Sequence, residues 1–166
     1  MKIYMASPLG FSEAGRSFYN GTLIPKVKGL GYEPVDPWTL TDQAKIDPVA
    51  NMPYGPAKRD AWRQLNVEIG GNNRAGIDSA DMVLAVRDGT DGDSGTAAEI
   101  GYAFAKGKLI LGYRGDFRLS ADNDGATVNL QVEYFIRQSG GDIVTSVAEL
   151  EPALAKIKAA GLKRPL

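Results

Sequence analysis

Asp81-Met-Val-Leu-Ala-Val86 sets five consecutive apolar side chains behind one aspartate, and its reading decides the fold. A strand with one solvated face would alternate apolar and polar residues. An unbroken run marks a strand covered on both faces, as in a parallel sheet packed between helices. The run ends in an acidic loop, Asp88-Gly-Thr-Asp-Gly-Asp93. It then enters Ser94-Gly-Thr-Ala-Ala-Glu-Ile-Gly-Tyr-Ala-Phe-Ala105, a helical stretch whose one charge is Glu99. A second buried strand, Lys108-Leu-Ile-Leu-Gly-Tyr113, follows.

Upstream, Ile3 to Ala6 reads as a strand running into the loop Ser7-Pro8-Leu9-Gly10. Ser12 is placed to cap a helix carrying Phe18, Leu23, Val27 and Leu30, with a kink expected at Pro25 and a stop at Gly29 and Gly31. Tyr32 to Val35 is another strand, closed by Asp36-Pro37. Five of the nine prolines lie between residues 34 and 56, so this stretch reads as a long binding loop or lid. Trp62, Leu65 and Ile69 predict a helix from Ala57 that weakens at Gly70-Gly71 and resumes from Asn73 to Ile77. Downstream come a polar loop over 114–127, a helix over Val128 to Gln138 and a short strand at Ile143-Val144. The capping box Ser146-Val-Ala-Glu149 opens a last helix.

Strand and helix thus alternate about five times. The expected architecture is a doubly wound α/β fold: a parallel five-stranded sheet with helices on both faces, formed by residues 1–166 as a single domain. Such sheets bind ligands outside the carboxyl ends of their strands, where Ser7 to Phe11, Asp36 to Trp38 and Asp88 to Ser94 all lie.

Composition narrows the chemistry. Nineteen basic against twenty acidic residues provide no basic stripe, which argues against a nucleic-acid polymer or an anionic membrane as partner. No apolar run is long enough to span a bilayer and no targeting segment is visible, so a cytoplasmic location is expected. With neither histidine nor cysteine, imidazole bases, thiol nucleophiles and histidine- or thiolate-bound metals are excluded. Carboxylates, Tyr, Lys, Ser, Thr and backbone groups are what remain.

No phosphate-binding glycine motif is present, although the helix start at Ser94-Gly95 offers amides to a small anion. Asp88 and Glu99 have the end-to-end spacing of a twelve-residue calcium loop, but Thr90, Gly92 and Asp93 fit its inner positions poorly. Asp93 and Glu99 suit a different chemistry, in which one carboxylate attacks an acetal-like carbon beside a second carboxyl group. The pattern alone leaves another reading open. Thr96, Glu99, Ala103 and Lys106 share one helical face, which could be solvated, and Asp93 could be a simple helix cap.

Three blocks carry a family resemblance: Lys2-Ile-Tyr-Met-Ala-Ser-Pro-Leu-Gly-Phe11, Gly76-Ile-Asp-Ser-Ala-Asp-Met-Val-Leu-Ala-Val86 and Asp93-Ser-Gly-Thr-Ala-Ala-Glu-Ile-Gly-Tyr102. Together with Val128-Asn-Leu130 they resemble the nucleoside 2-deoxyribosyltransferases, which implies a flavodoxin-like fold and transfer of 2-deoxyribose between nucleobases without metal or organic cofactor. The resemblance implies Glu99 as nucleophile, Tyr4 as the hydroxyl that positions it and Asp93 as a nucleoside contact. Asn129 would serve a neighbouring subunit's site, within a homo-oligomer of dimers, commonly a hexamer. Pro8, Phe11, Ser94 and Gly95 fall in the same motifs and are candidate substrate contacts. Asn73 stands where some members have an aspartate, Asp36-Pro-Trp38 where some have a base-binding glutamine, and Lys163-Arg-Pro-Leu166 where some end in tyrosine. Asp36, Trp38 and Asn73 are therefore this chain's own substrate-binding candidates, with Trp38 placed to stack on a base. Closeness of the Asp-Ser-Gly-Thr-Ala block to purine-restricted members implies purine 2′-deoxyribonucleosides and free bases as substrates. A 2′-deoxynucleoside 5′-phosphate N-glycosidase and a non-catalytic nucleotide-sensing module are the alternatives.

Overall fold

The structure, a computed structural model, describes residues 1–90 and 92–162. Its strands are β1 (Lys2–Ala6), β2 (Glu33–Val35), β3 (Met82–Val86), β4 (Leu109–Tyr113) and β5 (Ile143–Val144). They form one parallel sheet in the order β2-β1-β3-β4-β5. The chain winds outward from β1 to β2, then crosses back to β3, so the strand order reverses between β1 and β3. That switch point opens a crevice at the carboxyl edge.

Two apolar layers hold the sheet, and strand alternation sorts residues between them. Ile3, Met5, Met82, Leu84, Val86, Leu111 and Tyr113 face one layer, closed by Tyr19, Leu23, Val27, Leu150 and Leu154. These come from α1 (Glu13–Phe18), the π turn Tyr19–Leu23, α2 (Ile24–Gly29) and, at the other end of the chain, α7 (Val147–Ala160). Tyr4, Ala6, Val83, Ala85 and Ile110 face the other layer, with Ile77, Ile100, Ala103, Val132 and Ile136. Those are carried by α4 (Pro56–Ser79), α5 (Ser94–Ala105) and α6 (Leu130–Gln138). All five residues of β3 are buried, as the unbroken apolar run requires.

Several local features depart from the sequence reading. The kink expected at Pro25 is replaced by the π turn directly before it. Proline removes one rung of the helical ladder, and the widened turn absorbs the defect so that the helix continues to Gly29. The proline-rich connection is not wholly irregular. It contains α3 (Gln43–Ala50), capped by Asp42 and carrying Pro48 inside. Gly70 and Gly71 do not break α4, which runs through 24 residues. A helical glycine costs only about 1 kcal/mol relative to alanine, and the buried anchors Leu65 and Ile77 on either side outweigh it. Ser146 caps α7 as expected, but the Glu149 carboxylate reaches back to the Thr145 amide (2.7 Å) instead of completing the box at Ser146.

In the acidic loop, Asp88 accepts from the amides of Gly115 and Asp116 (2.6 and 3.0 Å), tying the loop after β3 to the one after β4. Asp91 and residues 163–166 lie outside the described residues.

Candidate active site

A cavity of about 490 Å³ opens at the switch point. Four segments wall it: Ser7 and Phe11 after β1; Pro37, Trp38 and Thr41 after β2, with Ile46 of α3; Trp62, Asn66, Ile69 and Asn73 along α4; and Asp93, Gly95, Thr96 and Glu99 at the start of α5. No lysine or arginine is among these residues.

The start of α5 determines the cavity's chemistry. Asp93 is its N-cap, and Oδ2 accepts from Thr96 N (2.6 Å) and Thr96 Oγ1 (2.8 Å). Thr96 and Ala103 are buried, so the helical face they share with Glu99 points inward, against the solvated reading of that face. Glu99 follows Asp93 by six positions, and the Tyr4 hydroxyl donates to its Oε1 at 2.6 Å. Tyr4 is fully buried on β1, paired with Val35 on one side and Val83 on the other, so its ring is fixed by the centre of the sheet. Gly76 permits this packing: a Cβ there would come within 3.1 Å of the Tyr4 ring and 2.7 Å of Leu40.

Electrostatics follow from this burial. Desolvation pushes the Glu99 carboxyl above its ordinary value, the Tyr4 hydrogen bond pulls it down, and the Asp93 charge adds to the rise. Tyr4 is driven strongly up, first by burial and then by the Glu99 charge, so it remains a donor. The result is a partly desolvated carboxylate held at one oxygen beside a second carboxylate, which is the apparatus for covalent attack at an electrophilic carbon.

A family profile described as nucleoside 2-deoxyribosyltransferase matches residues 3–131, more than half the chain. The chain belongs to this family. A solved 2-desoxiribosyltransferase from Leishmania mexicana is 25% identical, with 97% of this chain and 99% of that chain covered and a TM-score of 0.63. A 2-deoxyribosyltransferase from Bacillus psychrosaccharolyticus is 19% identical over 100% of both chains, at a TM-score of 0.64. A CMP N-glycosidase from Clostridium botulinum is 17% identical over 97% of this chain and 100% of that one, at 0.54. The last two are likenesses of fold. Comparison with curated proteins gives no match. Membership makes this chain a nucleoside deoxyribosyltransferase or a related glycosidase.

Of the site residues this deoxyribosyltransferase-family chain offered from sequence, the structure gathers Glu99, Asp93, Gly95, Phe11, Trp38 and Asn73 around one cavity, with Tyr4 behind Glu99. Pro8 and Ser94 do not line it. Asp36 stands behind the wall instead of in it. Its Oδ1 accepts from the Tyr19 hydroxyl (2.8 Å) and from Trp38 N (3.0 Å), so it fixes the turn that presents Trp38. Asn129 is not among the lining residues. It caps α6 through Oδ1 and donates through Nδ2 to Asp122. Asp88 and Glu99, the ends of the calcium-loop spacing, are held apart in role, Asp88 by the loop after β4 and Glu99 by Tyr4 of β1, and no metal-binding cluster of carboxylates occurs among the described residues.

Of the α4 wall, sequence offered Asn73 alone. Trp62 and Ile69 read as an ordinary core stripe, yet with Asn66 and Asn73 they face the cavity. Asn73 Oδ1 is buried and has no hydrogen-bond partner among the described residues. Polar residues interspersed on an apolar stripe were the available signal.

Trp38 is clamped from the other side. Its indole meets Phe11 edge-on, with centroids 4.8 Å apart, and covers Gly10, where a Cβ would lie 2.2 Å from the ring. Gly10→Val is expected to expel the indole, which shows as red-shifted, more quenchable tryptophan emission and a stability loss of about 1–3 kcal/mol. Unchanged emission would mean that the backbone at Gly10 yields instead.

Proposed function

We propose that the chain transfers 2-deoxyribose between nucleobases, with purines preferred, through a covalent sugar ester on Glu99. The Tyr4-bound Glu99 carboxylate, facing a cavity whose described lining residues include no basic side chain, carries this reading. A 5′-phosphate brings up to two negative charges. Beside Asp93 and Glu99, with no cation among the described wall residues to balance them, it would be repelled, which favours nucleosides over nucleotides.

In the first step Glu99 attacks C1′, the C1′–N bond breaks, and its electron pair leaves with the base, which takes up a proton. In the second, a nitrogen of another base attacks C1′ from the vacated face, the ester bond breaks, and the incoming base loses its proton. Two inversions leave net retention. Tyr4 holds one carboxylate oxygen so that the other meets the anomeric carbon. The indoles of Trp38 and Trp62 offer flat surfaces to a purine, and the largely apolar walls limit water as a competing acceptor.

Asn129 is exposed at the N-cap of α6 and fits the proposed service to a neighbour's site in a dimer-based homo-oligomer, its cap and Asp122 contacts being shared or exchanged on assembly. A cytoplasmic enzyme of nucleoside metabolism is the corresponding cellular role, and no described helix is long and apolar enough to cross a membrane.

Incubation of the protein with 2′-deoxyinosine and adenine, followed chromatographically, is expected to yield 2′-deoxyadenosine and hypoxanthine. Hypoxanthine with free deoxyribose would assign the N-glycosidase reaction instead. No product from any nucleoside–base pair would defeat both.

A further inference from the structure

We propose that the preferred sugar donors are 2′-deoxyribonucleosides whose base is already cationic, namely N7-alkylated purines. The inference rests on the transfer reading above and extends it to the charge of the base.

Two features of the same cavity lead there. Its wall includes three aromatic rings, those of Trp38, Trp62 and Phe11, and the charged groups among its described residues, Asp93 and Glu99, are both carboxylates. A flat cation is attracted by each, whereas a neutral purine gains stacking alone. The nearby cation Arg87 is buried beneath the acidic loop, donates to the Asp93 carbonyl at 2.9 Å and does not line the cavity.

The second feature concerns the proton. A neutral purine must acquire one as it leaves, but the wall provides amides, hydroxyls and indoles together with two carboxylates. Glu99 is the attacking group, and Asp93 Oδ2 is committed as acceptor to both donors of Thr96. Asn73, where some members carry an aspartate, presents an amide that has no proton to give up. An N7-alkylated purine needs none. As Glu99 attacks C1′, the C1′–N9 bond breaks and its electron pair cancels the ring charge, so the departing base is neutral. The ester then passes to an acceptor base, whose ring N–H proton goes to solvent as the Glu99 carboxylate is released.

Recognition can be separated from the greater intrinsic lability of such donors. The Glu99→Gln protein, which retains both indoles and Asp93, is titrated by tryptophan fluorescence with 7-methyl-2′-deoxyguanosine and with 2′-deoxyguanosine at mildly acidic pH, where the alkylated ring holds its charge. The alkylated nucleoside is expected to bind about ten-fold more tightly, as one or two cation–π contacts supply. Adding Trp38→Leu should remove most of that preference. With wild type, the ratio of kcat/KM for the two donors should exceed the ratio of their uncatalysed cleavage rates. Equal or weaker binding of the alkylated donor overturns the proposal even where wild type turns over 2′-deoxyguanosine. Tight binding without release of base by wild type upholds the recognition and defeats the transfer reading. Glu99→Ala serves as second binding-competent variant, so a folding defect in one does not decide the outcome.

Discussion

Replacing Glu99 by glutamine is expected to reduce turnover by about 10⁴-fold or more, because an amide cannot form the sugar ester and the cavity's other described carboxylate, Asp93, is held as a helix cap by both donors of Thr96. The same change is expected to raise thermal stability at neutral pH. Burial holds the Glu99 carboxyl above its ordinary value in the folded protein. Below the unfolded-state value both states are protonated and Glu99 exacts no penalty. As pH rises through the folded-state value, the ionised carboxylate costs stability. Glutamine removes that cost and can still accept from the Tyr4 hydroxyl. Melting of both proteins from pH 4 to pH 8 should therefore show the variant gaining on wild type as pH rises. A variant less stable than wild type at pH 8 would show that the Tyr4 bond to the charged form outweighs desolvation, and substantial residual transfer would remove Glu99 as the nucleophile.

Tyr4→Phe carries the next largest effect. The hydroxyl at 2.6 Å is the protein donor seen on the Glu99 carboxylate, and a hydrogen bond to a charged group contributes about 1.5–3 kcal/mol. Its loss is expected to lower kcat by about 10- to 100-fold while changing KM little, because the ring still fills its place beside Gly76 and only the aim of the carboxylate is lost. The pH profile gives a second readout. The Tyr4 bond lowers the Glu99 carboxyl against the effect of burial, so its removal lets that value rise, and the acid limb of kcat should move to higher pH. An unmoved limb with unchanged kcat would leave Tyr4 as a packing residue only.

The legibility of this site followed the distance between its parts along the chain. Asp93, Gly95 and Glu99 lie within seven residues of one helix start, and a local motif reports them together. Tyr4 was placed beside Glu99 by resemblance, since nothing in residues 1–11 specifies what faces them across the sheet. Trp62, Asn66 and Ile69 were obscured for another reason: helical periodicity identifies the buried side of α4, and a ligand cavity buries apolar groups as a core does. Asp36 shows the same limit, because an aspartate after a strand at the binding edge can face a ligand or hold its own loop. The Tyr19 hydroxyl, supplied from the opposite side of the sheet, settles its placement behind Trp38.

What the sequence determined by itself was the order of the strands, the parallel sheet and the groups available for chemistry. Strand runs without polar alternation require cover on both faces, and a chain without histidine or cysteine is left with carboxylates, hydroxyls and lysine for its chemistry. Tertiary structure alone decided which residues meet at the switch point. Crossing from β2 back over β1 to β3 brings Tyr4 to Glu99, 95 positions away, and closes the cavity with a face of α4. Those contacts are non-local, and short-range patterning records the face a residue occupies without recording what is packed against it.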